Sequence, residues 1–156
     1  EDDLSDPQLR LQKFGEIASK LAKEKQIRDA LLAFQRNFPN QSNGAVLDGR
    51  DIGSIVFPEA QIKLFVTANL RIRAVRRQKD MKRMGQNISL KELEASLKAR
   101  DQRDINRAIA PLVCLKDATI IDTSNIPFGS LKKEIIEIVE KKYKSLNLDR
   151  NIKKKS

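Results

Sequence analysis

Ile62-Lys-Leu-Phe-Val-Thr67 is a short run rich in β-branched and aromatic residues, and from about Asn69 to Met84 the chain turns helical in pattern. A strand feeding straight into a helix is the unit from which parallel sheets are built. Asn69 suits the N-cap of that helix, and Gly85 breaks it. Working downstream, Ser89 and Glu92 stand three apart, as in a capping box, and open a helix that runs to about Asn106. Ala118-Thr-Ile-Ile-Asp122 reads as another strand, and Phe128 to Leu146 as a last amphipathic helix. Working upstream, Ala45-Val46-Leu47 reads as a buried strand that ends in a sharp turn at Asp48-Gly49. Pro39 to Gly44 is a loop by composition. Before it come two helical stretches. The first starts at Asp6-Pro7 and carries Leu9, Phe14, Ile17 and Leu21; the second carries Ile27, Leu31, Leu32 and Phe34. The pattern predicts an α/β fold: a thin, three-stranded parallel sheet with flanking helices. It divides into a helical segment 1–43, a core 44–146, and a basic tail 147–156 expected to be disordered.

A chain of 156 residues suits one domain with a real core, or one domain with a small mobile insert. Its apolar runs are too short for a membrane span, and it shows no apolar stretch of a secretory signal. One cysteine, Cys114, rules out an internal disulfide and fits a reducing cytosol. The absence of histidine excludes a His/Cys metal site and imidazole acid–base chemistry. A net charge of +10 suits a polyanion, a nucleotide substrate or simply a basic surface. Aromatic residues make up only 4% of the chain, which leaves no stacking platform for single-stranded nucleic acid.

Two segments carry chemistry. Arg100-Asp-Gln-Arg-Asp-Ile-Asn-Arg107 packs three arginines and two aspartates into eight residues. On a helix, Arg100, Arg103, Asp104 and Arg107 share one face, with Arg100 able to pair with Asp104. Arg103 and Arg107 would repel unless an anion lies between them. Guanidinium forks suit phosphate oxygens, and interspersed carboxylates hold the forks in place. The plainer reading is a solvated, salt-bridged face, against which the apolar flank Ala108–Val113 argues. In Leu47-Asp-Gly-Arg-Asp51, Asp48 is placed at a strand tip, where a carboxylate can hold a Mg²⁺-bound water. Gly49 permits the turn, Arg50 can fork onto a phosphate, and Asp51 can accept hydrogen bonds. The plainer reading here is a β-turn with a surface ion pair. Gly44 and Gly49 have the spacing of a phosphate loop, but the intervening strand-like Ala-Val-Leu commits its amides elsewhere. The helix from Asn69 is loaded with Arg71, Arg73, Arg76, Arg77, Lys79, Lys82 and Arg83, as a groove-reading helix would be. Met81 and Met84 read as packing residues.

Leu47-Asp-Gly-Arg-Asp-Ile-Gly-Ser-Ile-Val-Phe-Pro-Glu-Ala60, Lys63–Ala68, Arg73-Ala-Val-Arg-Arg77 and Arg100–Leu112 together closely resemble the bacterial cytidylate kinases, from about Ile17 to Tyr143. The resemblance implies a phosphate-loop nucleoside-monophosphate-kinase fold that moves the γ-phosphoryl of ATP, with Mg²⁺, onto CMP or dCMP. It implies that Ser19, Arg28, Asp51 and Arg107 read the cytosine, that Arg50 and Arg100 grip the CMP phosphate, and that Asp104 takes the sugar. Arg103 joins Arg50 and Arg100 in the catalytic set. Arg73, Arg76 and Arg77 look like arginines of a lid, near 73–107, that closes on the ATP phosphates. Asp48 resembles the aspartate that helps to hold Mg²⁺. By the same resemblance segment 1–43 contributes to the CMP side. The sequence is further expected to give a cytoplasmic monomer with no membrane partner and with nucleotides rather than nucleic acid as ligands; the alternative reading is a non-catalytic nucleotide- or nucleic-acid-binding basic α/β module. The family's opening strand and G-x-x-x-x-G-K-[ST] loop are missing from this sequence, which begins abruptly at Glu1-Asp-Asp. The expectation is a C-terminal portion of such an enzyme. A second departure is Glu24-Lys-Gln-Ile-Arg28, where the family has Phe-Pro-x-Val-Arg.

Overall fold

The computed structural model describes residues 12–22, 24–38 and 45–153. Helices α1 (Gln12–Leu21) and α2 (Lys25–Asn37) come first, then a π-helical turn (Ile52–Val56) and strand β1 (Leu64–Thr67). Helices α3 (Leu70–Arg83) and α4 (Leu90–Asn106) follow, then strand β2 (Thr119–Asp122) and helix α5 (Phe128–Lys153). The start expected at Asp6-Pro7, the loop from Pro39 to Gly44 and the end of the basic tail lie outside the described residues. Helix α5 runs past Leu146, where its apolar pattern was expected to stop.

Contacts divide the chain into two units: residues 1–59 with 70–115, and residues 60–69 with 116–156. The first unit is built on the α3–α4 hairpin. Ala74 and Met81, seven apart on one face of α3, are fully buried, as is Leu93 of α4. The turn between the helices follows from Gly85, whose φ of +74° is a left-handed conformation open to glycine. Gly85 N–H donates to Lys82 O (3.0 Å) and Gln86 N–H to Met81 O (2.8 Å), which satisfies carbonyls at the end of α3. The capping box also forms: Glu92 N–H donates to Ser89 Oγ (3.2 Å), and Ser89 N–H donates to Glu92 Oε2 (3.1 Å).

The second unit holds the sheet. Strands β1 and β2 pair in parallel, Leu64 with Thr119 through Thr67 with Asp122, as the strand–helix alternation predicts. Thr123 N–H continues the ladder to Thr67 O (2.8 Å), and Lys63 pairs with Asp117 at 2.6 Å. Ile121 is the fully buried side chain of β2.

The third strand does not form. Ala45–Leu47 carries no ladder, and Val46 is 98% exposed. A strand needs a neighbour for its amides and carbonyls, and the sheet of the described residues consists of β1 and β2 alone. The expectation that Asp48 sits at a strand tip falls with it: Asp48 lies in an exposed, irregular segment. The apolar face of α2 is also more open than its pattern implies, with Leu31 and Phe34 exposed.

Candidate functional site

The π-helical turn sets the position of Arg50 and Asp51. Its backbone is wound one residue wider than an α-helix: Val56 N–H reaches Asp51 O (3.2 Å) and Phe57 N–H reaches Ile52 O (2.7 Å). Gly49 matters here through close approach, since a Cβ at this position would stand 2.8 Å from Ile52 Cγ1. The Gly49 of the sequence motif thus lets the chain fold tightly onto the turn.

Helix α2 holds this turn at both ends. Arg28 hydrogen-bonds Asp51 through Nη2 and reaches Ala22 O through Nη1 (3.4 Å). Two turns further along the helix, Arg36 donates from Nε to Val56 O (3.0 Å) and from Nη2 to Ile55 O (2.9 Å). Sequence reasoning passed over Arg36. Its signal was the interval of eight residues from Arg28, which keeps both side chains on nearby faces of one helix.

Asp104 is the second organising carboxylate. It is 2% exposed, in the last turn of α4. Ser19 Oγ donates to its Oδ1 (2.8 Å), and Arg50 Nε donates to its Oδ2 (3.2 Å). Arg100 Nε stands 3.8 Å from the same Oδ2, and Arg103 Nη1 donates to Ser19 Oγ (3.3 Å). Arg50 and Arg100, fifty residues apart in sequence, therefore converge on one carboxylate oxygen.

Arg107 departs from the expected geometry. It does not continue the helix face of Arg100 and Arg103, because α4 ends at Asn106 and Arg107 is an extended C-cap with ψ of 139°. The chain folds back instead. Leu112 N–H donates to Asp104 O (2.8 Å), and Arg107 Nε hydrogen-bonds Ala110 O. Ala110 takes a left-handed φ of 50° to allow this. The reversal buries Arg107 and brings its Nη2 to 3.7 Å from Asp51 Oδ1. Repulsion between Arg103 and Arg107 along one helix face is thereby avoided. Burial lowers the Arg107 pKa from its ordinary value; Asp51 opposes the shift, Arg28 adds to it, Asp104 opposes it and Arg50 adds to it.

Ser19, Arg28, Arg50, Asp51, Arg100, Arg103, Asp104 and Arg107 thus form one connected set. Five guanidinium groups face two carboxylates, so the set carries surplus positive charge. Two of its buried donors, Arg100 Nε and Arg107 Nη2, have no hydrogen-bond partner among the described residues. Orphaned donors of this kind are costly, and an anion with several acceptor oxygens satisfies them.

The α3 arginines carry pairings of their own. Arg73 is paired through both Nη atoms with Asp101 of α4 (3.1 and 2.7 Å). Arg76 is exposed and Arg77 half-buried. Burial lowers the Arg77 pKa, Asp80 counters the shift and the nearby Arg100 charge reinforces it. Arg71 pairs with Glu94 at 3.2 Å and Arg83 with Asp80 at 3.6 Å, so this basic helix spends part of its charge within the unit. Among the described residues no three His, Cys, Asp or Glu side chains cluster around a metal position. Asp48 has the chemistry for Mg²⁺ all the same, since that ion keeps several waters and takes one or two carboxylates together with substrate phosphates. No described helix is long and apolar enough to cross a membrane.

Parallel strands alternating with helices along the chain, and a connected arginine–aspartate set with surplus positive charge, mark an α/β protein whose chemistry suits an anion. The comparisons with known proteins narrow this. The family model for cytidylate kinase matches residues 1–144. The chain is 48% identical over 128 residues to a cytidylate kinase of Paramagnetospirillum magneticum, a stretch covering 80% of this chain and 61% of that protein. It is 42% identical over 134 residues to one from Bradyrhizobium (86% and 63%) and 47% identical over 139 residues to one from Acidiphilium cryptum (89% and 65%). The chain belongs to the cytidylate kinase family, and it spans about three fifths of the length of these relatives.

Proposed function

We propose that this chain supplies the nucleoside-monophosphate side of a cytidylate kinase: transfer of the γ-phosphoryl group of ATP to CMP or dCMP, giving CDP or dCDP and ADP. The observation that carries this reading is the convergence of Arg50 and Arg100 on Asp104 Oδ2, beside buried donors without a partner among the described residues. In this reading Arg50 and Arg100 take the phosphate of CMP, with Arg103 adding charge against the transferred group. Asp104 holds the sugar. Ser19, Arg28, Asp51 and Arg107 read the base, because cytosine donates from its amine and accepts at its carbonyl and ring nitrogen. Phosphoryl transfer depends mostly on positioning and charge neutralisation, so fixed guanidinium groups can do much of the work.

Arg73, Arg76 and Arg77 are assigned to the ATP phosphates, in a lid within 73–107 of the kinase core 44–146; segment 1–43 belongs to the CMP side. Mg²⁺, bound with ATP, would draw charge from the phosphates, and Asp48 is the residue assigned to hold it through water. This sequence contains no glycine-rich phosphate loop. That supports a second reading, a non-catalytic nucleotide- or nucleic-acid-binding basic α/β module. A cytoplasmic monomer that acts on free nucleotides and not on nucleic acid completes the proposal.

Calorimetric titration with CMP, UMP, AMP and a short duplex tests it. Selective CMP binding supports it, and salt-sensitive binding of the duplex alone refutes it. An assay coupled to ADP release separates turnover from binding. Arg50→Ala is expected to abolish CMP binding with little change in melting temperature, because the Arg50 side chain is 43% exposed. Retained affinity with a collapsed fold would overturn its role.

A further inference from the structure

Gly15 lies in the interior of α1, where glycine is a poor choice for helix stability. Its φ is not left-handed, so no turn demands it. The reason lies across the interface with α4. A Cβ at Gly15 would stand 3.0 Å from Arg100 Nη1 and 3.7 Å from its Cζ. Around it the two helices interlock: Ser96 Oγ donates to Glu16 Oε1 (3.2 Å), and one turn on Ser19 meets Asp104 and Arg103. Glycine thus leaves a notch in α1 in which the Arg100 guanidinium lies, with its Nε facing Asp104 and without a hydrogen-bond partner among the described residues.

We infer that Gly15 is a positioning residue: the missing side chain on α1 sets where the Arg100 fork stands, and so how it meets the phosphate of the bound nucleotide. The inference rests on the reading of Arg100 as a phosphate arginine. A methyl at position 15 displaces the far end of a flexible side chain rather than backbone, so the fold accommodates it while the fork moves by a few tenths of an ångström. Charge-assisted bidentate contacts depend on such alignment. Helix propensity and ligand affinity should therefore change in opposite directions, which a residue with a purely structural role would not produce.

The test compares the full chain with Gly15→Ala, Arg100→Ala and the double variant, titrating CMP and unphosphorylated cytidine and measuring thermal unfolding. Gly15→Ala is expected to raise the melting temperature by roughly 2–4 °C. It should raise the Kd for CMP about tenfold, as a loss of roughly 1.4 kcal/mol would, and leave cytidine binding unchanged. In the Arg100→Ala background it should have no further effect on CMP. Unchanged CMP affinity, a fall in both stability and affinity, or additive losses in the double variant would each overturn the inference. If the unsubstituted chain fails to prefer CMP over cytidine, the phosphate reading itself is lost, and the inference with it.

Discussion

Asp104, in one unit, is buried among charged groups, whereas Ile121, in the other, is a buried aliphatic side chain of a strand, and both residues are 2% exposed. Asp104 is held by Ser19 and Arg50 and approached by Arg100. Ile121 sits in a two-stranded sheet, level with Val66 of β1. The aliphatic site needs no explanation beyond the removal of apolar surface from water. The charged one does, because buried ions are desolvated at a cost that their pairing often only matches. A cluster with more guanidinium groups than carboxylates, and with buried donors that have no partner among the described residues, is poorly designed for stability.

The comparison breaks first at Asp104. Asp104→Ala leaves several arginines facing a lost counter-charge and should cost about 3–5 kcal/mol of unfolding free energy. Urea denaturation reads this directly, and a loss under about 1 kcal/mol would mean that water already screens the cluster. Ile121→Ala should cost somewhat less, about 2–4 kcal/mol for a buried aliphatic chain. Its neighbour Ile120, which is 62% exposed, should cost under about 1 kcal/mol on the same substitution. Equal losses at positions 120 and 121 would mean that the outer face of β2 is covered in solution.

Arg36 sharpens the comparison from the charged side. It is exposed, yet both of its hydrogen bonds go to carbonyls of the π-helical turn that follows Arg50-Asp51. Arg36→Ala should lower stability by about 1 kcal/mol, the scale of charge-assisted hydrogen bonds discounted for solvent. It should also weaken CMP binding, by less than Arg50→Ala does. Arg36→Lys should not restore affinity, because a point charge cannot span two successive carbonyls as a planar fork does. A full rescue by lysine would leave the turn held by charge alone.

What the sequence revealed and what it hid divide along physical lines. The helices α3 and α4 were legible because their ends carry local chemistry: Gly85 at one stop, and Ser89 with Glu92 at one start. Strands β1 and β2 were legible as short branched runs placed between helices. Ala45–Leu47 is likewise a short apolar run, but a strand is a relation between two segments and composition cannot supply the partner. The convergence of Arg50 with Arg100 followed from charge pattern only as a proposition, since it depends on how α4 meets the turn at 49–51. The reversal at Arg107 was hidden because it needs a left-handed Ala110, a residue type that seldom adopts that conformation. The π-helical turn has no periodicity long enough to read. Gly15 and Arg36 gave no motif, since each acts through a contact distant in sequence.

Helix α4 carries both kinds of environment, which allows the smallest test to be made within one element. Its C-terminal turn ends in the buried Asp104, while its N-terminus is the solvent-exposed box of Ser89 and Glu92. Ser89→Ala removes the acceptor for Glu92 N–H and should cost about 1 kcal/mol. The hydrogen bonds from the Ser89 hydroxyl and then from its backbone N–H hold the Glu92 pKa below its ordinary value of 4.5. Its contribution is therefore complete above the pKa it has in the unfolded chain, and is lost as pH falls through the lower folded value. Glu92→Gln should flatten the acid limb of the stability profile below pH 4.5 while leaving CMP binding at neutral pH untouched. A change in CMP affinity on that substitution would mean that the two ends of α4 are coupled along the helix, and the charged site would then depend on more than the groups that meet at Asp104 and Asp51.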